Sequence, residues 1–377
     1  MNEQTAPPPA AATKSLRLSS LDAFRGITIA GMIIVNNPGT WRAVYPPLLH
    51  AEWHGWTPTD LIFPFFLFIV GVAMAFSFTR RIAAGASRSG LARHVLQRSL
   101  IIFTLGMILT GLPDFDYSQK LILDVLQRIA VVYLFSGLIV VYTSSRTQAI
   151  LSVVFLVVYW LLMVFISVPG YGRGVLGPQG NVWQYVDQVL LKGWHYHAEG
   201  ILSLIPSFST VLLGTLTGEW LRSSRSHLEK AAGLFVAGNI GLVLGLILHQ
   251  WFPINKLLWS SSYVVFTAGF ALNLLGMCYW AIEIKRWTAW SRPFVIFGMN
   301  AIAAFFLSSL TSRLMGMIRF SAGSPEHTIS LKGWIFATVF ASWLNDINAS
   351  LFFALCYTLL WLGVMSVLYR KQIFVKV

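Results

Sequence analysis

His50 and His54 lie four residues apart in the segment LLHAEWHGWTPTDLIFPFFLF, and Asp60 follows ten residues after the first histidine. An imidazole changes protonation near neutral pH, so His50 is a candidate general base. Asp60 is placed to orient that imidazole or to pair with a substrate amine. Asn36 and Asn37 close the preceding apolar block. The Asn36 amide is a candidate donor to the oxyanion that forms when an acyl group is attacked. Asn37, Trp53 and His54 complete the candidate contacts of this segment. A histidine at a membrane interface more often only makes hydrogen bonds, so residue type alone leaves both readings open.

Other polar residues fall inside or beside apolar blocks, where a charge is expensive unless paired. Arg25 follows Asp22 by three positions on one helical face, which suits a structural pair and equally a cation meeting an anionic substrate. Asp124 and Arg128 are four apart and read as an intramembrane pair, structural or functional. Asn255 and Lys256 occupy a turn between two apolar blocks; Lys256 either lines an acceptor site or snorkels to the interface. Asn300 lies mid-block, where an amide hydrogen-bonds across helices. His195, His197 and Glu199 have the residue types of a metal cluster but lack a fourth ligand, so no metal is expected.

These residues need a scaffold, and composition indicates its kind. The 377 residues are 56% hydrophobic and 11% charged, and the mean hydropathy is +0.67, whereas soluble domains carry about 25% charged residues. Apolar blocks of about 20 residues match the thickness of a hydrocarbon core. The expected fold is all-α: a polytopic transmembrane helical bundle of about ten spans, at 18–37, 57–79, 94–112, 121–142, 148–168, 201–221, 231–251, 258–283, 294–314 and 350–369. The short aromatic block 331–344 suits an interfacial or re-entrant helix. Residues 1–15, with the run APPPAAA, read as a disordered cytoplasmic N-terminus without a signal peptide, and 16–377 as one membrane domain. Cys278 and Cys356 lie far apart in apolar runs and suggest no disulfide.

Loop charges set an orientation. With the N-terminus cytoplasmic, about 17 Lys and Arg residues fall inside and about 8 outside. Both termini are then cytoplasmic, and loops 38–56 and 169–200 face outward. The formal charge of +13 is scattered over short loops, which argues against nucleic acid and for lipid headgroups or a phosphorylated substrate.

The segments LSSLDAFRGITIAGMIIVNNPG, HAEWHGWTPTDLIFPFFLFIVG, DVLQRIAVVYL, EGILSLIPSFSTVLLGTLTG, INKLLWSSSYVVFTAG and FGMNAIAAF together resemble the bacterial relatives of the heparan-alpha-glucosaminide N-acetyltransferase family. The resemblance implies a bacterial inner-membrane enzyme that takes acetyl from cytoplasmic acetyl-CoA, its co-substrate, and gives it to an amino sugar or cell-envelope glycan outside. It implies a catalytic role for His50 and a matching one for Asn36. His54 stands where the family often has Asn, so it shares or competes for the role of His50. Glu199 and Gly200 match the family's EG and belong to the outer vestibule. The extra luminal domain of the lysosomal enzyme is not expected, and a homodimer is compatible with so aromatic a surface.

Two routes are open: His50 deprotonates the acceptor amine for direct attack on the thioester, or His50 itself carries the acetyl group. Two other functions compete. A transporter of a sugar or lipid-linked intermediate is disfavoured by the lack of visible repeats. A non-catalytic membrane partner leaves the cost of Arg25, Asp124 and Arg128 unexplained.

Overall fold

The computed structural model describes residues 18–117, 123–190, 199–321 and 328–375. Expectations for the N-terminal segment, for His195 and for His197 lie outside these residues.

Thirteen helices form among the described residues: α1 Ser19–Asn36, α2 Pro58–Ala83, α3 Arg88–Gly111, α4 Val125–Tyr142, α5 Ser145–Phe165, α6 Val182–Leu190, α7 Leu204–Arg222, α8 His227–Leu248, α9 Ser261–Tyr279, α10 Arg292–Met299, α11 Ala301–Met317, α12 Leu331–Ile335 and α13 Asp346–Arg370. Several begin at a serine whose hydroxyl accepts a free amide of the first turn. Ser144 takes Thr147 N–H, Ser226 takes Glu229 N–H and Ser260 takes Tyr263 N–H. A five-residue π turn extends α9 and another extends α12. Two short antiparallel strand pairs, 167–168 with 172–173 and 319–321 with 328–330, stand out among the otherwise helical described residues.

Among the described residues seven helices are long and apolar enough to cross a membrane, and eight if the pair α10 and α11 counts as one broken span. That pair bends by 82° at Asn300, within the block read above as one straight span. The helices α1 and α7 are nearly as long, but Asp22, Arg25 and the hydroxyls of α7 reduce their hydropathy. Their place explains this, because most of their residues are buried against protein. The most apolar window of α2 is 72% buried, against 22% in α5 and α8. So α1, α2 and α7 form the centre, and α5 and α8 turn exposed Val153, Val157, Ile240 and Val243 outward.

The central contact depends on small residues. A Cβ placed on Gly71 of α2 would lie 2.0 Å from Val211 O, and one on Gly214 of α7 would lie 2.1 Å from Phe68 O. The two backbones therefore approach as closely as glycine permits.

Pro64 sits inside α2 and has no N–H for the carbonyl of Asp60, one turn earlier. The hydroxyl of Tyr263, fully buried in α9, donates to that carbonyl instead. The first turn of α2 is thereby attached to α9. A smaller cluster around Tyr159, Trp183, Phe252 and Leu258, with Trp53 at its edge, covers the same end of the bundle.

Candidate functional site

The chain leaves α1 through Asn37 and returns at Thr57, and this loop carries His50. Its Nδ1 lies 2.6 Å from Asp60 Oδ1. Asp60 is fully buried, whereas the His50 side chain is 49% exposed. The other carboxylate oxygen accepts the amides of Ala51 at 3.0 Å and Thr57 at 2.9 Å. A carboxylate so surrounded by donors is an acceptor, which puts the His50 proton on Nδ1 and leaves the Nε2 lone pair facing outward. Asp60 has this role because it occupies the third position of α2, within reach of the Thr57 amide as in a capping box.

Nε2 of His50 meets Lys256 Nζ at 3.3 Å. Lys256 is delivered by the turn between α8 and α9, which is tightly determined. Asn255 Oδ1 accepts Leu258 N–H at 2.8 Å, Asn255 N–H donates to Ser260 Oγ at 3.1 Å, and Trp259 adopts φ +53°. A bulky residue in that region persists only where its surroundings hold it. Here Trp259 lies beneath the Arg128 guanidinium, 4.4 Å from its ring centre.

Lys256 Nζ is also 3.6 Å from Glu199 Oε1, and Glu199 Oε2 pairs with Arg128 at 2.9 Å. Arg128, 3% exposed, donates further to Ser203 O at 3.1 Å and Ser207 Oγ at 2.7 Å. A continuous row results: Asp60, His50, Lys256, Glu199, Arg128. The expected Asp124 to Arg128 side-chain pair does not form. Asp124 is the N-cap of α4 with extended backbone, so helical i,i+4 spacing does not apply to its side chain. Its carboxylate caps Val125 N–H and reaches Arg313 at 3.4 Å.

His54 is held differently. Asn255 Nδ2 lies 3.3 Å from its Nδ1, and Gly55 N–H donates to Ile254 O at 2.8 Å. Burial, and then the nearby His249, lower its pKa below that of an ordinary histidine. The neutral ring accepts the Asn255 amide. Trp53 Nε1 donates to Leu176 O at 2.9 Å and anchors the loop.

The structure thus gathers His50, Asp60, Trp53, His54, Asn255, Lys256 and Arg128. Asn36 and Asn37 open instead on a cleft of about 240 Å³ shared with Asp124, Gln127 and Arg313. Asn36 is exposed, whereas Asn37 is buried and donates to Ile33 O at 2.8 Å. Arg25 and Asn300 lie at the opposite end of α1. Arg25 contacts Asp22 Oδ1 at 3.1 Å and Gly298 O at 3.2 Å. Asn300 grips the C-terminal backbone, donating to Ile373 O and accepting from Val375 N–H, so its amide serves a loop and not a helix pair. Glu199, read from the sequence as part of the outer vestibule and not as a site residue, joins the row as the carboxylate that buried Arg128 requires. Among the described residues no group of three His, Cys, Asp or Glu side chains is arranged to hold a metal.

A bundle of long apolar helices with a carboxylate-oriented histidine at one mouth defines a multi-pass membrane protein with a polar centre. The family model for heparan-alpha-glucosaminide N-acetyltransferase, catalytic, matches residues 17–250, and the chain belongs to that family. It is 28% identical to heparan-alpha-glucosaminide N-acetyltransferase of Homo sapiens, over 96% of this chain and 60% of the relative. The corresponding protein of Mus musculus is 27% identical with the same coverage. The chain therefore spans about 60% of the length of the curated relatives it matches.

Proposed function

We propose that this protein is a membrane acetyltransferase in which His50 takes a proton from an amino-sugar acceptor as the amine attacks the thioester of acetyl-CoA. Family membership supports acyl transfer. The observation that carries the assignment of the base is the 2.6 Å contact of His50 Nδ1 with buried Asp60, which leaves Nε2 facing an amine at 3.3 Å.

In the direct reaction the acceptor nitrogen bonds to the acetyl carbonyl carbon and the carbon–sulfur bond breaks. The proton lost by the attacking neutral amine goes to Nε2 and is passed to the departing thiolate, giving the N-acetylated sugar and the CoA thiol; an acceptor that arrives as its ammonium first gives one proton through Nε2 to solvent. Imidazolium formed in between is stabilised by Asp60. Asn36, which opens on the cleft lined by Asp124 and Gln127 and not on the His50 row, is the residue to which the family resemblance gives the role of oxyanion donor. No acetyl-enzyme forms in this route.

The ten-span topology fits the helices if buried α1 and α7 are added to the eight apolar spans, with α12 at an interface. Basic loops at the Arg25 end then face the cytoplasm of a bacterial inner membrane, where Arg25 and its neighbours receive the charged donor, and the His50 mouth faces outward. The acceptor is an amino sugar or a cell-envelope glycan bearing one.

The test is acetyl transfer from acetyl-CoA to glucosamine by detergent-purified protein. His50→Ala should lower turnover by about 10²- to 10⁴-fold, while His54→Ala retains most of it. Activity that survives His50→Ala and disappears with His54→Ala would move the base to the second histidine.

A further inference from the structure

The row of side chains at the His50 mouth contains a cation where catalysis needs room. An amine acceptor reaches the site largely as its ammonium, and its nitrogen must touch His50 Nε2 to be deprotonated. That position is taken by the Lys256 ammonium, 3.3 Å from Nε2 and 3.6 Å from Glu199 Oε1.

We infer that Glu199 and His50 Nε2 form a built ammonium site for the acceptor, and that Lys256 fills it until a substrate ammonium takes its place. This assignment of the acceptor subsite rests on the acetyl-transfer reading for its substrate class.

Three features support it. Glu199 is fixed from behind, because its Oε2 is committed to Arg128, which is itself locked by Ser203, Ser207 and the Trp259 ring. Its Oε1 is the oxygen turned towards Lys256. The exchange also conserves charge: one ammonium leaves and another enters, so the carboxylate and Arg128 never face each other without the second cation. A partly buried carboxylate between two cations would otherwise lose half its compensation. Finally, the two components differ in freedom. Glu199 is pinned, whereas the Lys256 ammonium hangs on four methylenes, its side chain 14% exposed, and can swing off Glu199 by rotation about them while its turn stays in place.

The same geometry sets specificity. A hydroxyl in place of the ammonium cannot replace Lys256, because it brings no charge to Glu199. Neutral sugars are therefore excluded by electrostatics.

The experiment compares glucosamine with glucose on the full-length, detergent-purified chain, by calorimetric binding and by acceptor KM in acetyl transfer, in the native protein, Glu199→Gln and Lys256→Met. Lys256→Met should lower the Kd and KM for glucosamine several-fold and leave glucose without measurable binding. Glu199→Gln should raise both glucosamine constants about tenfold or more, with acetyl-CoA binding unchanged. Should Glu199→Gln fail to fold through loss of the Arg128 partner, Lys256→Met decides alone. Weaker glucosamine binding in Lys256→Met, or unchanged constants in a folded Glu199→Gln, overturns the inference. A native chain that binds glucosamine through Glu199 yet transfers no acetyl group sinks the acetyltransferase reading and leaves the ammonium site standing.

Discussion

At the scale of single residues, the two histidines are separated by what each one touches. His50 has a buried carboxylate on one nitrogen and an amine on the other, whereas His54 is bonded to the Asn255 amide. Sequence offered Asp60 two roles, orienting the His50 imidazole or pairing with a substrate amine, and the fold of the loop back on α2 sets its carboxylate against His50. Asp60→Asn should reduce turnover by about 10²-fold or more, because an amide no longer fixes the proton on Nδ1; steady-state kinetics with acetyl-CoA and glucosamine measures it. His54 gives a pH signature in stability. Its pKa is lowered on folding, so the unfolded chain binds the extra proton as pH falls through the ordinary histidine range and below. Stability should therefore drop between about pH 7.5 and pH 5.5, and His54→Asn should flatten that slope in thermal melts. An unchanged slope would remove His54 as its source.

At the scale of elements, hydropathy made most spans legible because lipid-facing helices must be apolar throughout. It also read α1 and α7 as spans, though they are less apolar for the opposite reason: helices surrounded by protein tolerate Asp22, Arg25 and a run of hydroxyls. The break at Asn300 and the Glu199 to Arg128 pair were hidden, because each depends on a partner more than seventy residues away in sequence. Two substitutions test the elements. Gly71→Val places a side chain into the backbone of α7 and should cost on the order of 3 kcal/mol or more, seen as loss of monodisperse protein in detergent. Tyr263→Phe leaves the carbonyl of Asp60 without its donor and should destabilise by about 1–3 kcal/mol. Its effect on turnover should exceed that of an equally destabilising change on α5, because the turn that loses its tie is the one carrying Asp60.

At the scale of the whole molecule, the charge asymmetry of the loops and the placement of the polar row at one mouth make a single statement about orientation. In a cysteine-free background, Arg42→Cys should react with a membrane-impermeant maleimide on intact cells, whereas Ser224→Cys should react only after permeabilisation. The reverse pattern would place the His50 mouth in the cytoplasm and require donor and acceptor to exchange sides.

The tie from Tyr263 to the carbonyl released by Pro64 has a mechanical meaning for such a mouth. Asp60 heads α2, and Lys256 stands on the turn that leads into α9, so one buried hydroxyl yokes the carboxylate that orients His50 to the turn that carries its cationic neighbour. Bilayers differ in thickness and lateral pressure, and a bundle adjusts to them by tilting its helices. With α2 and α9 yoked at this depth, tilting of one helix carries the head of the other with it, so the turns bearing Asp60 and Lys256 are tied to each other and not only to the lipid around them.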